Sequence, residues 1–216
     1  MKPKIVIFDF DGTLADTRHN IVVTLQRTMR DRGLELRTEE ECAQTIGLTL
    51  LDSFRVMYPE MSLDDAEACV KHYRDIFYRS IEESIPQLFS GVAPTLERLR
   101  ELGVVMSIAS SRSSPSLILF IRSMGIEHYF SLVLGSDSVA NHKPHPEPVL
   151  HTLQKLGFEP SEAIVVGDMP VDISMARNAS LCSVGVSYGN ATREELEAAG
   201  ADYVIDSFEE LLGIVE

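Results

Sequence analysis

The sequence predicts an α/β fold: a parallel sheet wrapped in helices, with an all-helical block inserted behind its first strand. Three observations predict it. Ile5-Val6-Ile7-Phe8 is a short apolar run of β-branched and aromatic residues, which suits a strand covered on both faces. Residues 17–84 carry helical periodicity and cap signals but no strand. From Gly91 onward strand and helix patterns alternate, which implies parallel strands joined by right-handed crossovers. The core is therefore expected to comprise residues 1–15 and 86–216, and the inserted cap residues 16–85.

Taken in order, Ile21, Leu25, Thr28 and Met29 give a helical stripe that Gly33 stops. Thr38 begins a second helix, and Glu41 three residues on completes a capping box. A third helix covers residues 50–57 and a fourth residues 63–81, behind Ser62 as N-cap. The two connections between core and insert, residues 15–17 and 84–89, are the expected hinge. Pro94 opens the next helix, which Gly103 ends. A strand follows over residues 104–109, then a helix over residues 115–124 stopped by Gly125. Further strands are expected at residues 132–134, 163–167, 182–186 and 203–205, with helices between them. Thr192 and Glu195 form another capping box.

Composition narrows the function. A net charge of −14 argues against a nucleic-acid partner and asks for a local cation wherever an anion binds. The three cysteines, Cys42, Cys69 and Cys182, lie far apart without pairing or zinc spacing, as in a reducing compartment. No apolar stretch approaches the ~20 residues that span a bilayer, and the N-terminus has no signal-peptide pattern. A cytoplasmic protein, monomeric or weakly dimeric, is expected.

The carboxyl ends of parallel strands share one side of the sheet, where α/β folds place their ligands. Asp9 and Asp11 leave the first strand there, since charges within the sheet would be costly. The strand at residues 104–109 ends in Ser110-Ser111-Arg112. A later loop carries His142-Lys143-Pro144-His145-Pro146, and the strand at residues 163–167 ends in Asp168, with Asp172 four residues on. Converging carboxylates, one lysine and one hydroxyl suit phosphoryl transfer, with carboxylate oxygens holding Mg²⁺. His142 and His145 read as loop packing, and Arg112 as a phosphate or substrate contact.

These motifs, Asp9-Phe10-Asp11-Gly12-Thr13, Ser110, Lys143 and Gly167-Asp168-Met169-Pro170-Val171-Asp172, resemble the four motifs of the haloacid dehalogenase-like hydrolases, in order and across the chain. The helical insertion resembles the small C1 cap of the phosphoglycolate phosphatase-like branch. The resemblance implies a Rossmann-like core and a Mg²⁺-dependent phosphatase acting on a small phosphorylated metabolite through an aspartyl-phosphate. It makes Asp9 the nucleophile, Asp11 the acid and base, and Lys143 and Ser110 the groups that stabilise the transferring phosphoryl. Asp9, Asp168 and the main-chain carbonyl of Asp11 would hold the metal, with Asp172 behind them, orienting Lys143. Thr13, Ser111, Arg112 and the cap-loop Gly47 would contact substrate.

Two departures from the family pattern bear on substrate. Relatives often carry Arg just after the cap-loop glycine, where this chain has Leu50 and Leu51. Ile21 stands where β-phosphoglucomutase relatives carry a cap histidine, which ranks mutase activity below hydrolysis. Asp11 disfavours dehalogenation, which uses no leaving-group acid. Pyrophosphate and sugar or nucleoside monophosphates remain alternative substrates, and a non-catalytic phosphate-binding protein the alternative of a different class. A third departure is structural: Asn178-Ala179-Ser180 replaces the usual Ala-Gly before a strand.

Overall fold

The computed structural model describes residues 2–80 and 85–216. Its core is a six-stranded parallel sheet in the order β5-β4-β1-β6-β7-β8. The strands are β1 (Ile5–Phe8), β4 (Val105–Ala109), β5 (Leu132–Leu134), β6 (Ala163–Gly167), β7 (Cys182–Val186) and β8 (Tyr203–Ile205). The strand sites read from sequence are all present, with β4 starting one residue later than expected.

Burial on both faces explains the unbroken apolar run of β1. Val6 and Phe8 face a cluster containing α5 (Val92–Glu101), α6 (Ser114–Ser123) and α10 (Leu211–Val215). Ile5 and Ile7 face the opposite cluster, built with α7 (Glu147–Leu156) and α8 (Pro170–Asn178). All four β1 side chains are fully buried. A short helix, α9 (Arg193–Ala198), begins at Thr192 and Glu195, which form the expected capping box. Helix α5 starts two residues before Pro94, which occupies its first turn instead of opening it.

Among the described residues, four helices lie in the insert, between Asp16 and Gln87: α1 (Arg18–Asp31), α2 (Glu39–Ala43), α3 (Leu50–Met57) and α4 (Leu63–Ser80). Helix α2 has the expected Thr38–Glu41 capping box, and the Ser62 hydroxyl accepts from the Asp65 N–H at the start of α4. Ile81, the expected end of that helix, and Ser84 of the expected hinge lie outside the described residues. The two connections are joined by a feature the sequence does not signal. β2 (Ala15–Asp16) pairs antiparallel with β3 (Gln87–Leu88), a ribbon of two residues per strand. Among the described residues no helix is long and apolar enough to cross a membrane.

The topology creates the site. The chain runs outward from β1 through β4 to β5, then returns to β6 on the other side of β1. The crevice at such a switch point, at the strands' carboxyl ends, is where ligands bind in open α/β sheets.

Candidate active site

Each strand at the switch delivers one polar residue from its carboxyl end. Asp9 follows β1, and its N–H extends the ladder to the Val166 carbonyl at 2.8 Å. Ser110 follows β4, with its N–H on the Leu134 carbonyl at 2.9 Å. Asp168 follows β6, and Asp172 sits in the first turn of α8. The Met169–Asp172 pair caps that helix: the Met169 N–H donates to Asp172 Oδ2 at 3.1 Å.

Lys143 joins these residues. Its Nζ donates to Asp9 Oδ1 at 2.5 Å and to Asp172 Oδ1 at 2.7 Å, with the lysine side chain 1% exposed. Burial pulls the ammonium down, but Asp172 and Asp9 outweigh it and hold its pKa above the usual lysine value. Burial also pushes Asp9 well above the ordinary carboxylate range, with Lys143 opposing and Asp172 and Asp168 reinforcing the rise.

Asp168 is cradled by groups from two other segments. Asn190 donates both its N–H and its side-chain amide to Oδ2, each at 2.8 Å. The Thr13 hydroxyl donates to Oδ1 at 3.2 Å. Gly12, at φ +85°, makes room: a Cβ there would meet Asp168 Oδ2 at 2.1 Å. Thr13, expected to contact substrate, does not line the cavity below and supports Asp168. It is fully buried behind Asp168, because the turn at Gly12 tucks it inward.

The donor set fits a divalent cation. Oxygens of Asp9, Asp168 and Asp172 lie within 4.8 Å of one another, and all three residues are buried. Three carboxylates face one ammonium there, an excess of negative charge that a hard, oxygen-seeking divalent ion offsets. Burial and the neighbouring Asp172 push Asp168 up to about 7.

A cavity of about 350 Å³ opens between this cluster and the helical insert, with Asp9, Asp11 and Ser110 on its floor and Gly47 and Tyr73 among its cap-side walls. Gly47, at φ +96°, lies against the start of α8: a Cβ there would meet Val171 at 3.2 Å and Met169 at 3.3 Å. Its carbonyl accepts from the Ser111 hydroxyl at 2.6 Å. Ser111 thus ties the core to the cap loop. Arg112 also lines the cavity, yet its guanidinium is engaged by Asp11. His145 Nδ1 accepts from the Glu147 N–H, whereas His142 reaches the cavity and its buried Nδ1 has no hydrogen-bond partner among the described residues.

Asn190 and Tyr73 escaped the sequence reading. The Gly189-Asn190 turn after β7 was the available signal for the first. Tyr73 sits on a helical stripe that reads as core, and nothing in its spacing marks it.

This architecture and edge constellation are those of a hydrolase family. A sequence model of the haloacid dehalogenase-like hydrolases matches residues 6–186, and the chain belongs to that family. A Dickeya dadantii protein named as a probable phosphatase is 34% identical over 99% of this chain and 93% of its own length. A Vibrio vulnificus phosphoglycolate phosphatase is 30% identical over 98% and 96%, and a Bacillus pumilus pyrophosphatase 30% over 97% and 95%. A Bacteroides fragilis crystal structure, named for the same hydrolase family, superposes with a TM-score of 0.92 at 29% identity, covering 97% of this chain and 100% of that one. The chain is an enzyme of the phosphatase kind within its family.

Proposed function

We propose that the protein is a Mg²⁺-dependent phosphatase that hydrolyses a small phosphate monoester through an aspartyl-phosphate on Asp9. The observation that carries this reading is the buried cluster in which Lys143 bridges Asp9 and Asp172 beside Asp168, at the floor of the cavity. An anionic nucleophile meeting a phosphate dianion needs concentrated positive charge, and this cluster is built to hold it.

Asp9, Asp168 and the main-chain carbonyl of Asp11 would hold the metal. When bound, Mg²⁺ supplies charge neutralisation at the phosphoryl oxygens. Asp172 orients Lys143, whose ammonium balances the incoming charge. A carboxylate oxygen of Asp9 bonds to phosphorus as the ester P–O bond breaks, and Asp11 gives a proton to the departing alkoxide. Asp11 then takes a proton from water, whose oxygen bonds to phosphorus as the acyl-phosphate P–O bond breaks. Phosphate leaves and Asp9 is restored. Ser110 donates to the transferring group.

The names of the Vibrio relative and of similar proteins favour a phosphoglycolate-like ester. Pyrophosphate, as in the Bacillus relative's name, ranks below it, because Leu50 and Leu51 offer no cation in the cap loop. Asp9→Asn tests the mechanism. It should lower kcat by about 10³-fold or more and abolish the acid-stable phosphoprotein trapped during turnover. Near-normal turnover by that variant would end the covalent reading.

A further inference from the structure

Asp11 is not free at the cavity floor. Arg112 Nε donates to its two oxygens at 3.2 and 3.1 Å, and Nη2 donates to Oδ1 at 2.6 Å. The guanidinium also lies over Phe120 of α6 at 4.8 Å and Phe77 of α4 at 5.4 Å. Arg112 is only 9% exposed in its side chain, yet borders the cavity. The aromatic faces of core and cap hold the planar cation in place whether or not Asp11 fills its fork.

Two consequences follow from this pairing. A carboxylate with both oxygens committed to one guanidinium is not presenting a proton to an ester oxygen. The fork, moreover, is a preformed socket for a carboxylate. The cap loop brings no cation to the wall, and the other arginine that lines the cavity, Arg74 of α4, acts on Asp137 rather than on Asp11.

Resting on the roles given above for Asp9 and Asp11, we propose that Arg112 is a specificity-determining residue. It restrains Asp11 until a carboxylate on the substrate's leaving group takes over the fork, which releases Asp11 toward the ester oxygen. The occupant is a carboxylate because the socket already accommodates one in bidentate geometry. Esters with a neutral leaving group leave Asp11 restrained and are turned over poorly.

Calorimetry in Mg²⁺ buffer with two non-hydrolysable phosphonates tests this: 3-phosphonopropionate, with a carboxylate tail, and propylphosphonate, with none. The wild type should bind the first roughly tenfold or more tighter, as expected for one charge-assisted fork. Arg112→Met should erase that preference. The double variant Asp11→Asn, Arg112→Met should erase it as well, without leaving a buried carboxylate unpaired. Asp11→Asn alone weakens the competitor, so it should tighten 3-phosphonopropionate several-fold and leave propylphosphonate unchanged. Equal wild-type affinity for the two ligands, equal losses for both in Arg112→Met, or an unaltered preference in Asp11→Asn would each overturn the proposal. Nitrophenyl phosphate hydrolysis by the same preparations separates the levels. An enzyme active on that ester but indifferent to the tail overturns the role of Arg112 alone, whereas one inert on every ester overturns the mechanism beneath it.

Discussion

Asp168 shows how one buried carboxylate can report on the whole site. Burial and Asp172 push it up to about 7, against the pull of Asn190 and Thr13. Because the folded value exceeds the unfolded one of about 3.9, the native protein binds more protons than the unfolded chain between these two values. The stabilisation is complete below about pH 4 and is lost as pH rises through about 7. Metal-free protein should therefore melt at lower temperature at about pH 7.5 than at about pH 5. Millimolar Mg²⁺ should raise Tm more at the higher pH, since proton and cation compete for the same oxygens. Scanning fluorimetry that found equal shifts at both pH values would place the metal elsewhere. At a second residue, Ser180, the departure from Ala-Gly seen in the sequence meets its physical cost. Ser180 sits at φ +58°, a backbone region that disfavours a Cβ. Ser180→Gly is expected to stabilise the fold by about 0.5–1 kcal/mol, the strain relieved less the extra chain entropy, read from urea denaturation.

Element by element, the legible parts of the chain are those whose signals are local. Short apolar runs mark all six core strands, and the residues just past β1, β4 and β6 mark the sheet edge because parallel topology forces those ends together. The capping boxes at Thr38 and Thr192 each lie within four residues, and both are formed. What stays hidden depends on long-range partners. The β2–β3 ribbon has too few residues for a periodic signal. The pairing of Arg112 with Asp11 joins positions 101 apart in sequence, so only the fold shows which of several anions the arginine meets. Asn190 belongs to the same class, since its loop after β7 reaches a carboxylate 22 residues back. Asn190→Ala removes one donor from Asp168 while the main-chain N–H remains. It should weaken Mg²⁺ activation about tenfold and leave kcat near normal at saturating metal, as expected for a group that orients a ligand without contacting substrate. A Mg²⁺ titration of activity measures this, and an unchanged half-saturation point would remove Asn190 from the metal's support.

Across the whole molecule, the insert and the core meet at the cavity through a few directed contacts. Gly47 rests on Met169 and Val171 at the start of α8, its carbonyl holds the Ser111 hydroxyl, and Phe77 covers Arg112 from the cap side. In the proposed mechanism the core groups Asp9, Lys143 and Ser110 address phosphate alone and cannot tell one ester from another. Discrimination must come from the side of the leaving group, which the cap loop and Arg112 enclose. Any side chain at Gly47 is doubly opposed, by φ +96° and by contacts of 3.2–3.3 Å from a Cβ to the core. Gly47→Phe should therefore lift the loop off α8, expose the cavity to water and lower kcat/KM for the preferred ester by roughly 10²-fold. The proposed metal ligands lie at the sheet edge and outside the loop, so cooperative unfolding and Mg²⁺ binding should persist. Acetyl phosphate carries a small leaving group that needs no acid and little enclosure, so its hydrolysis should fall far less. Equal slowing of both substrates would mean that the cap loop shields the chemistry without reading the substrate, and selection would then rest on the core side of the cavity.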